Sequence, residues 1–296
     1  MPDVIAERHG AVLLLRLNRP ASGNAIGGTL FRDLLEGIHE ARDDDGIHVV
    51  VTTGEGSKYC VGADLSHLEH ARQYEPWELL TGELVLEDGT VLGGETGLTP
   101  LTAGGRRADW RGAGSRWTEE FWALEKPTIC ALNGSTGGGG LAIALLHDFR
   151  VAAAGAKLAT AFLPLAVGPE LGMSFLLPRL VGWARASDLL LRGKTLTAEE
   201  AAAIGLVNSV APVDRVLEEA MELAEELAAL PSIAQQLTKR ELRRAMTGTF
   251  AEHLELEYRT QLSLFALHDH DSGLTAARDR VGRRRYDRSA SRDPQT

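Results

Sequence analysis

Residues 137–140 are four consecutive glycines, set between two apolar segments, Pro127–Asn133 and Leu141–His147. No other stretch constrains the fold as much. Glycine costs about 1 kcal/mol per residue relative to alanine inside a helix, so a run of glycines at a strand-to-helix junction marks a place where bare backbone is needed. A helix start exposes unpaired N–H groups with partial positive charge. Small residues let an anionic oxygen come within hydrogen-bond reach of those groups. A second junction shares the design. Ile47–Thr53 reads as a buried β-branched strand, and "YCVGADL" (Tyr59–Leu65) leads from it through small residues to Asp64, a candidate helix cap. One N–H from each loop would make an oxyanion hole, in which loss of one donor costs about 3 kcal/mol of transition-state stabilisation. A phosphate-binding loop fits less well, because Gly140 is followed by Leu141 rather than by Lys-Ser/Thr. A dinucleotide fingerprint also fits less well, since its glycines follow the first strand. Close packing of the next helix is a further reason for glycine here and stays open.

The surrounding pattern is strand–helix alternation. Val4–Arg8 and Ala11–Leu17 flank His9-Gly10 as a hairpin, Gly28–Asp43 has helical apolar spacing, and Phe149–Ala154 and Leu158–Thr160 read as strands. Helices are expected over Ser174–Val181 and Ala184–Arg192, and from Leu196 onward the chain reads as almost entirely helical. The expected organisation is an α/β core over 1–196 and a helical region with a basic tail over 197–296. Residues of about 70–120 mix glycine, tryptophan and charge with little periodicity. They read as an inserted flap, with a hairpin at Leu84–Leu92 around Asp88-Gly89.

The formal charge of −10 argues against bulk nucleic-acid or membrane-surface binding. No apolar run reaches the roughly 18 residues of a membrane span. The opening "MPDVIAERHG" lacks a leader's basic-then-apolar pattern, so a cytoplasmic location is expected. The two cysteines, Cys60 and Cys130, make neither a disulfide framework nor a metal motif, and the histidines show no ligand spacing. No metal is expected.

Four segments resemble the crotonase, or enoyl-CoA hydratase/isomerase, superfamily. They are "LNRPASGNAI" (Leu17–Ile26), "YCVGADL", which is similar to Phe-Cys-Ala-Gly-Ala-Asp-Leu, "KPTICALNGSTGGGGLAIALLHDFRVAAAGAKL" (Lys126–Leu158) and "LPRLVGWARASDLLLRGKTLTAEEAAAIGLVNSV" (Leu177–Val210). The resemblance implies an α/β, crotonase-like spiral of ββα units with a helical C-terminal trimerisation region. It also implies an acyl-CoA substrate, no separate cofactor, and self-association as a homotrimer or a dimer of trimers. The implied oxyanion donors are the backbone N–H groups of Ala63 and Gly139. The implied CoA and substrate contacts are Ser22, Gly23, Val61, Asp64, Leu65, Gly138, Ala142 and Phe162.

The resemblance breaks at the acids. Hydratases of this superfamily use two glutamates, and the corresponding positions here are Ala142 and Phe162. Water addition needs one group to activate water and one to deliver a proton. Glu170 remains, at a position where dienoyl-CoA isomerases and the chlorobenzoyl-CoA dehalogenase carry an aspartate. The resemblance therefore implies a proton shuttle at Glu170 and isomerase-like chemistry. Two alternatives stay open: Glu170 as the nucleophile of a CoA-thioester hydrolase or dehalogenase, and a non-catalytic acyl-CoA-binding paralogue. Glu170 near a helix start also suits the helix dipole without any catalytic role. Glu95, Asp109, Glu119 and Glu120 are candidates for a second acid. Arg278, Arg280, Arg283, Arg284 and Arg285 are candidates for CoA phosphates of a neighbouring subunit. His147-Asp148 is a tempting acid–base pair, but sequence neighbours on a helix point apart.

Overall fold

The computed structural model describes residues 2–64, 69, 84–85, 91–92, 112–267, 273–275 and 278. Its strands, in chain order, begin with β1 (Val4–His9), β2 (Val12–Leu17), β3 (Val49–Gly54), β4 (Lys58–Cys60), β5 (Leu84–Val85) and β6 (Val91–Leu92). They continue with β7 (Thr128–Leu132), β8 (Ser135–Gly137), β9 (Phe149–Ala153), β10 (Lys157–Ala159), β11 (Thr195–Thr197) and β12 (Ser209–Ala211). Two compact units result, Met1–Ala228 and Ala229–Thr296.

In the first unit a six-stranded sheet runs β1-β2-β3-β7-β9-β12, and a four-stranded sheet runs β11-β10-β8-β4. The β1–β2 hairpin is antiparallel, while β2–β3, β3–β7, β7–β9 and β9–β12 are parallel. Two successive turns of the spiral each give one strand to each sheet and then a helix. Thus β7 and β8 lead to the helix Gly139–Leu145, and β9 and β10 lead on to the helix Met173–Val181. This is the ββα repeat expected from the sequence. β3 and β7 are buried along their whole length, as parallel strands covered on both faces must be. Each fully buried Leu, Ile or Val side chain there contributes about 1.5–3 kcal/mol. The helix Leu30–Asp43 buries Leu30, Leu34, Leu35, Ile38 and Ala41, the face its spacing predicts.

Two readings of the sequence change. The stretch Gly112–Ala123, expected within the flap, is a helix whose Trp117 and Phe121 are core residues. Trp117 stacks on Phe31 with ring centroids 4.4 Å apart, and its indole N–H donates to the Phe31 carbonyl at 2.8 Å. The expected helical region after Leu196 is present as Ala198–Ala203, Val216–Ala228, Ser232–Arg244 and Phe250–Phe265, interrupted by β12, which joins the large sheet beside β9. The helix Val216–Ala228 then packs on β3, β7 and β9, so the structure draws its division after Ala228 rather than at 196/197. The expected hairpin is present: Leu84 pairs with Leu92 and Val85 with Val91, antiparallel. Its turn lies outside the described residues.

In the second unit the helices Ser232–Arg244 and Phe250–Phe265 pack together. A capping box at Thr249 and Glu252 starts the second of them. Phe250, Leu254, Tyr258, Leu262 and Phe265 are exposed along it. Among the described residues no helix is long and apolar enough to cross a membrane.

Candidate active site

β4 and β8 are neighbours in the small sheet and run parallel, with Cys60 opposite Thr136. That pairing carries the two small-residue loops out side by side. The Thr136 hydroxyl donates to the Cys60 carbonyl at 2.8 Å. A side chain at Gly140 would run into the same carbonyl, which is why glycine is needed there. Gly62 has φ +94°, a conformation that side-chain-bearing residues rarely adopt. A Cβ on it would stand 2.7 Å from the Gly137 carbonyl oxygen and 3.4 Å from the Gly139 nitrogen. The two loops therefore meet backbone to backbone.

Ile26 locks the first loop. Its N–H donates to the Gly62 carbonyl at 2.8 Å, and its carbonyl accepts from Asp64 at 3.3 Å. In such a parallel bridge the N–H of Ala63 points away from Ile26. Gly139 opens its helix, so its N–H has no intrahelical acceptor. Among the described residues, neither N–H takes part in a loop hydrogen bond.

Glu170 arrives from a different quarter. It follows the short 3-10 turn Leu163–Leu165 and precedes the helix Met173–Val181, whose first N–H donates to the Glu170 carbonyl at 3.0 Å. A methyl placed on Gly139 would stand 3.7 Å from Glu170 Oε1, 3.7 Å from Leu171 Cδ1 and 2.6 Å from Ile26 Cδ1. Ile26, Gly139, Glu170 and Leu171 thus converge on one spot. Leu171 has φ +51°, a left-handed conformation costly for a residue with a side chain. Strain of this kind costs of order 1–3 kcal/mol and gathers at functional sites. Here it turns the chain so that Leu171 is buried while Glu170 stays accessible to solvent. The residue as a whole is exposed, but protein surrounds its carboxyl, and this burial pushes the pKa above the ordinary 4.5.

The other expected positions fall as follows. Gly23 lies against Val61, its carbonyl accepting from the Val61 N–H at 3.1 Å, and the hydroxyl of neighbouring Ser22 donates to the Arg19 carbonyl at 3.1 Å. Val61 is exposed and Asp64 half-buried, while Leu65 lies outside the described residues. Gly138 (φ +50°) caps the glycine helix, and the N–H of Ala142 donates to its carbonyl at 3.0 Å. Ala142 and Phe162 are buried, so apolar side chains fill both positions. Glu120 is not brought to Glu170; its carboxylate lies 3.4 Å from His39 Nε2 and 3.6 Å from an Arg42 nitrogen. Glu119 is exposed on the same helix, and Arg278 is helical and exposed. Glu95, Asp109, Arg280, Arg283, Arg284 and Arg285 lie outside the described residues. His147 bonds through both ring nitrogens within the core, and Asp148 accepts from the N–H and hydroxyl of Thr128 at 2.8 and 2.9 Å. No group of His, Cys, Asp and Glu suited to a metal occurs among the described residues.

Two asparagines that the sequence reading passed over brace the loops. Asn24, buried with φ +56°, accepts from the Arg19 N–H at 2.8 Å and donates to the Glu55 and Lys58 carbonyls at 3.0 and 2.9 Å. Asn133 accepts from the Gly54 N–H and donates to the Gly56 carbonyl, both at 2.9 Å. The signal was their position: each sits in a turn beside small residues, where an Asn side chain substitutes for backbone partners.

The model of the family described as enoyl-CoA hydratase/isomerase matches residues 7–84 and 102–281. The break over 85–101 is narrower than the flap expected at about 70–120. A probable enoyl-CoA hydratase of Rhizobium meliloti is 32% identical over 273 residues, covering 92% of this chain and 93% of that protein. The 1,2-epoxyphenylacetyl-CoA isomerase of Escherichia coli is 31% identical, covering 93% of this chain and 95% of that protein. The crystal structure of an enoyl-CoA hydratase from Polaromonas sp. JS666 superposes with a TM-score of 0.79 at 26% identity, covering 94% of this chain and 97% of that one.

Proposed function

The chain belongs to the enoyl-CoA hydratase/isomerase family, and we propose that it shifts a double bond in an acyl-CoA by proton transfer through Glu170. It is an acyl-CoA-processing enzyme of that family. In the proposed chemistry the Ala63 and Gly139 N–H groups receive the thioester oxygen. The Glu170 carboxylate removes a proton from the α-carbon, and the C–H electrons move into the thioester carbonyl, whose oxygen becomes anionic. Two preorganised donors stabilise that charge without reorganising. The protonated Glu170 then returns the proton to the γ-carbon, the enolate collapses, and the double bond lies conjugated with the thioester. A carboxyl with a raised pKa suits both halves, being a stronger base than an ordinary glutamate and still able to give its proton back near neutral pH.

The observation that carries this reading is that Glu170 Oε1 lies 3.7 Å from where a Cβ on Gly139 would stand, which puts the carboxyl beside the residue whose N–H opens the helix. The buried Ala142 and Phe162 support a one-acid chemistry over a two-glutamate hydratase. We also propose self-association as a trimer or dimer of trimers, supported by the exposed stripe Phe250, Leu254, Tyr258 and Leu262 on one helix. Light scattering on the purified chain measures that mass directly, and a monomer contradicts it.

The test of the chemistry is exchange of the α-protons of vinylacetyl-CoA and phenylacetyl-CoA in deuterated water. The wild-type chain exchanges them and Glu170→Gln does not. Equal exchange by the variant rejects the shuttle. An ester on Glu170, trapped and seen by mass spectrometry, assigns nucleophilic attack in its place.

A further inference from the structure

Three side chains outside the site join in one buried chain of hydrogen bonds. Thr52, on β3, has its Oγ1 3.0 Å from the Tyr59 hydroxyl and 2.9 Å from His147 Nε2. The other ring nitrogen of His147 lies 3.0 Å from the Ile143 carbonyl. A carbonyl only accepts, so Nδ1 carries a proton and donates to Ile143. In the neutral ring Nε2 then accepts from the Thr52 hydroxyl, and Thr52 accepts from Tyr59. Burial, with Cys130 adding to it, holds the Tyr59 hydroxyl protonated and so a donor. All three residues are buried.

The placement of the ends gives the chain its meaning. Tyr59 lies on β4, immediately before Cys60 and four residues before Ala63. His147 lies two residues past the end of the helix that Gly139 opens, and it grips that helix through the Ile143 carbonyl. Thr52 lies on β3, inside the large sheet. One hydroxyl on a strand buried along its whole length is therefore the shared anchor for both elements that present the donor N–H groups. Where the family segment quoted above has phenylalanine, this chain has Tyr59, whose hydroxyl makes the link. The helix Gly139–Leu145 has only 7 residues, so a shift at its His147 end is felt at its Gly139 end. An oxyanion hole tolerates little error: donors must come within about 2.7–3.1 Å of the oxygen.

We propose that Tyr59, Thr52 and His147 form a positioning strut that sets the spacing of the Ala63 and Gly139 donors, and so acts on the reaction without touching the substrate. The inference rests on the proposed role of those two N–H groups. Thr52→Val removes the central hydroxyl at nearly constant shape, and Tyr59→Phe removes only the outer one. Two readouts separate positioning from mere stability. One is turnover of vinylacetyl-CoA, resolved into kcat and KM. The other is the carbonyl stretching frequency of bound crotonyl-CoA, isotope-labelled at the thioester carbonyl, which reports polarisation by the donors.

Thr52→Val is expected to lower kcat about tenfold, less than the hundredfold of a displacement of about 1 Å. KM stays unchanged, and the carbonyl band moves back toward its frequency in solution. Thr52→Ser restores both. Tyr59→Phe lowers kcat about threefold, the scale of one net hydrogen bond. The double variant costs no more than Thr52→Val alone, because both changes break one chain. If Thr52→Val fails to fold, Tyr59→Phe carries the test, since it keeps the ring and the Thr52–His147 bond. Folded variants with wild-type kcat and a wild-type carbonyl band overturn the strut. A wild-type chain that leaves the band at its solution frequency overturns the donor reading itself, and the strut with it.

Discussion

The glycine loop and the Glu170 segment meet at one point and are built in opposite ways. Around Gly137–Gly140 the chain is held on all sides by regular elements. β8 pairs with β4 and β10, Thr136 holds the Cys60 carbonyl, and the helix behind is buried at each residue. The segment from Ala161 to Gly172 has no regular element beyond one 3-10 turn. It bends through left-handed residues at Ala161, Ala166, Leu171 and Gly172, and residues 163–170 are exposed. The rigid region offers backbone N–H groups, which no substitution of a neighbouring side chain removes. The irregular region offers a carboxyl, which one substitution adds or deletes. In the proposed chemistry, a fold arranged this way keeps the charge-stabilising part constant and leaves the proton transfer to a loop.

The sharpest way to break that contrast is at the loop. Glu170→Gln is expected to lower turnover about 10²–10⁴-fold, the range of a general acid–base residue. Its stability should hold or rise at neutral pH. The sign follows from the raised pKa: the protonated carboxyl favours the folded state, an advantage present below the ordinary value of 4.5 and lost as pH rises through the higher folded value. Thermal melts across pH check this, and a variant clearly less stable at pH above that window contradicts it.

In the rigid region the expected damage is to the fold. Gly140→Ala drives a methyl into the Cys60 carbonyl, a backbone group that cannot step aside. A loss of about 1–3 kcal/mol is expected, read by chemical denaturation. Gly139→Ala is gentler, because its nearest obstacle is the far end of the Ile26 side chain. It should fold, and turnover should fall about tenfold as the methyl crowds the space before Glu170, on the scale of a small misplacement. If Gly139→Ala unfolds the chain and Gly140→Ala does not, the assignment of tight packing to Gly140 is wrong. The smallest effect is a shift in profile. The acid limb of kcat/KM should have its midpoint above 4.5, since burial raises the Glu170 carboxyl and the base must be ionised to act.

The periodic parts of the fold were legible in the sequence. The hairpin β1–β2, the helix from Leu30 and the buried strands β3, β7 and β9 have apolar patterns long enough to show a period. The three-residue strands β4, β8 and β11 do not, so β10 alone of the small sheet was read, and β12 at the edge of the large sheet was missed for the same reason. The helix Gly112–Ala123 was hidden by its glycines and charges; the stacking of Trp117 on Phe31, far away in the chain, stabilises it. The site divides likewise. The two small-residue loops could be read locally as strand-to-helix junctions, but spacing left close packing open as a reason for their glycines, and the resemblance decided between the two readings. That Glu170 lies against Gly139 is a long-range contact made through a strained turn, and no spacing predicts it. Asn24 and Asn133 passed unnoticed because each braces carbonyls contributed by other segments.

The central claim is that the Ala63 and Gly139 N–H groups hold a thioester oxygen beside Glu170. A crystal structure of the Glu170→Gln variant soaked with vinylacetyl-CoA tests it most directly. The account predicts the thioester oxygen about 2.7–3.1 Å from both nitrogens. It also predicts the residue 170 side chain within about 3 Å of the path of the α-proton. A thioester oxygen bound away from either nitrogen, or an acyl chain whose α-carbon faces away from residue 170, contradicts it.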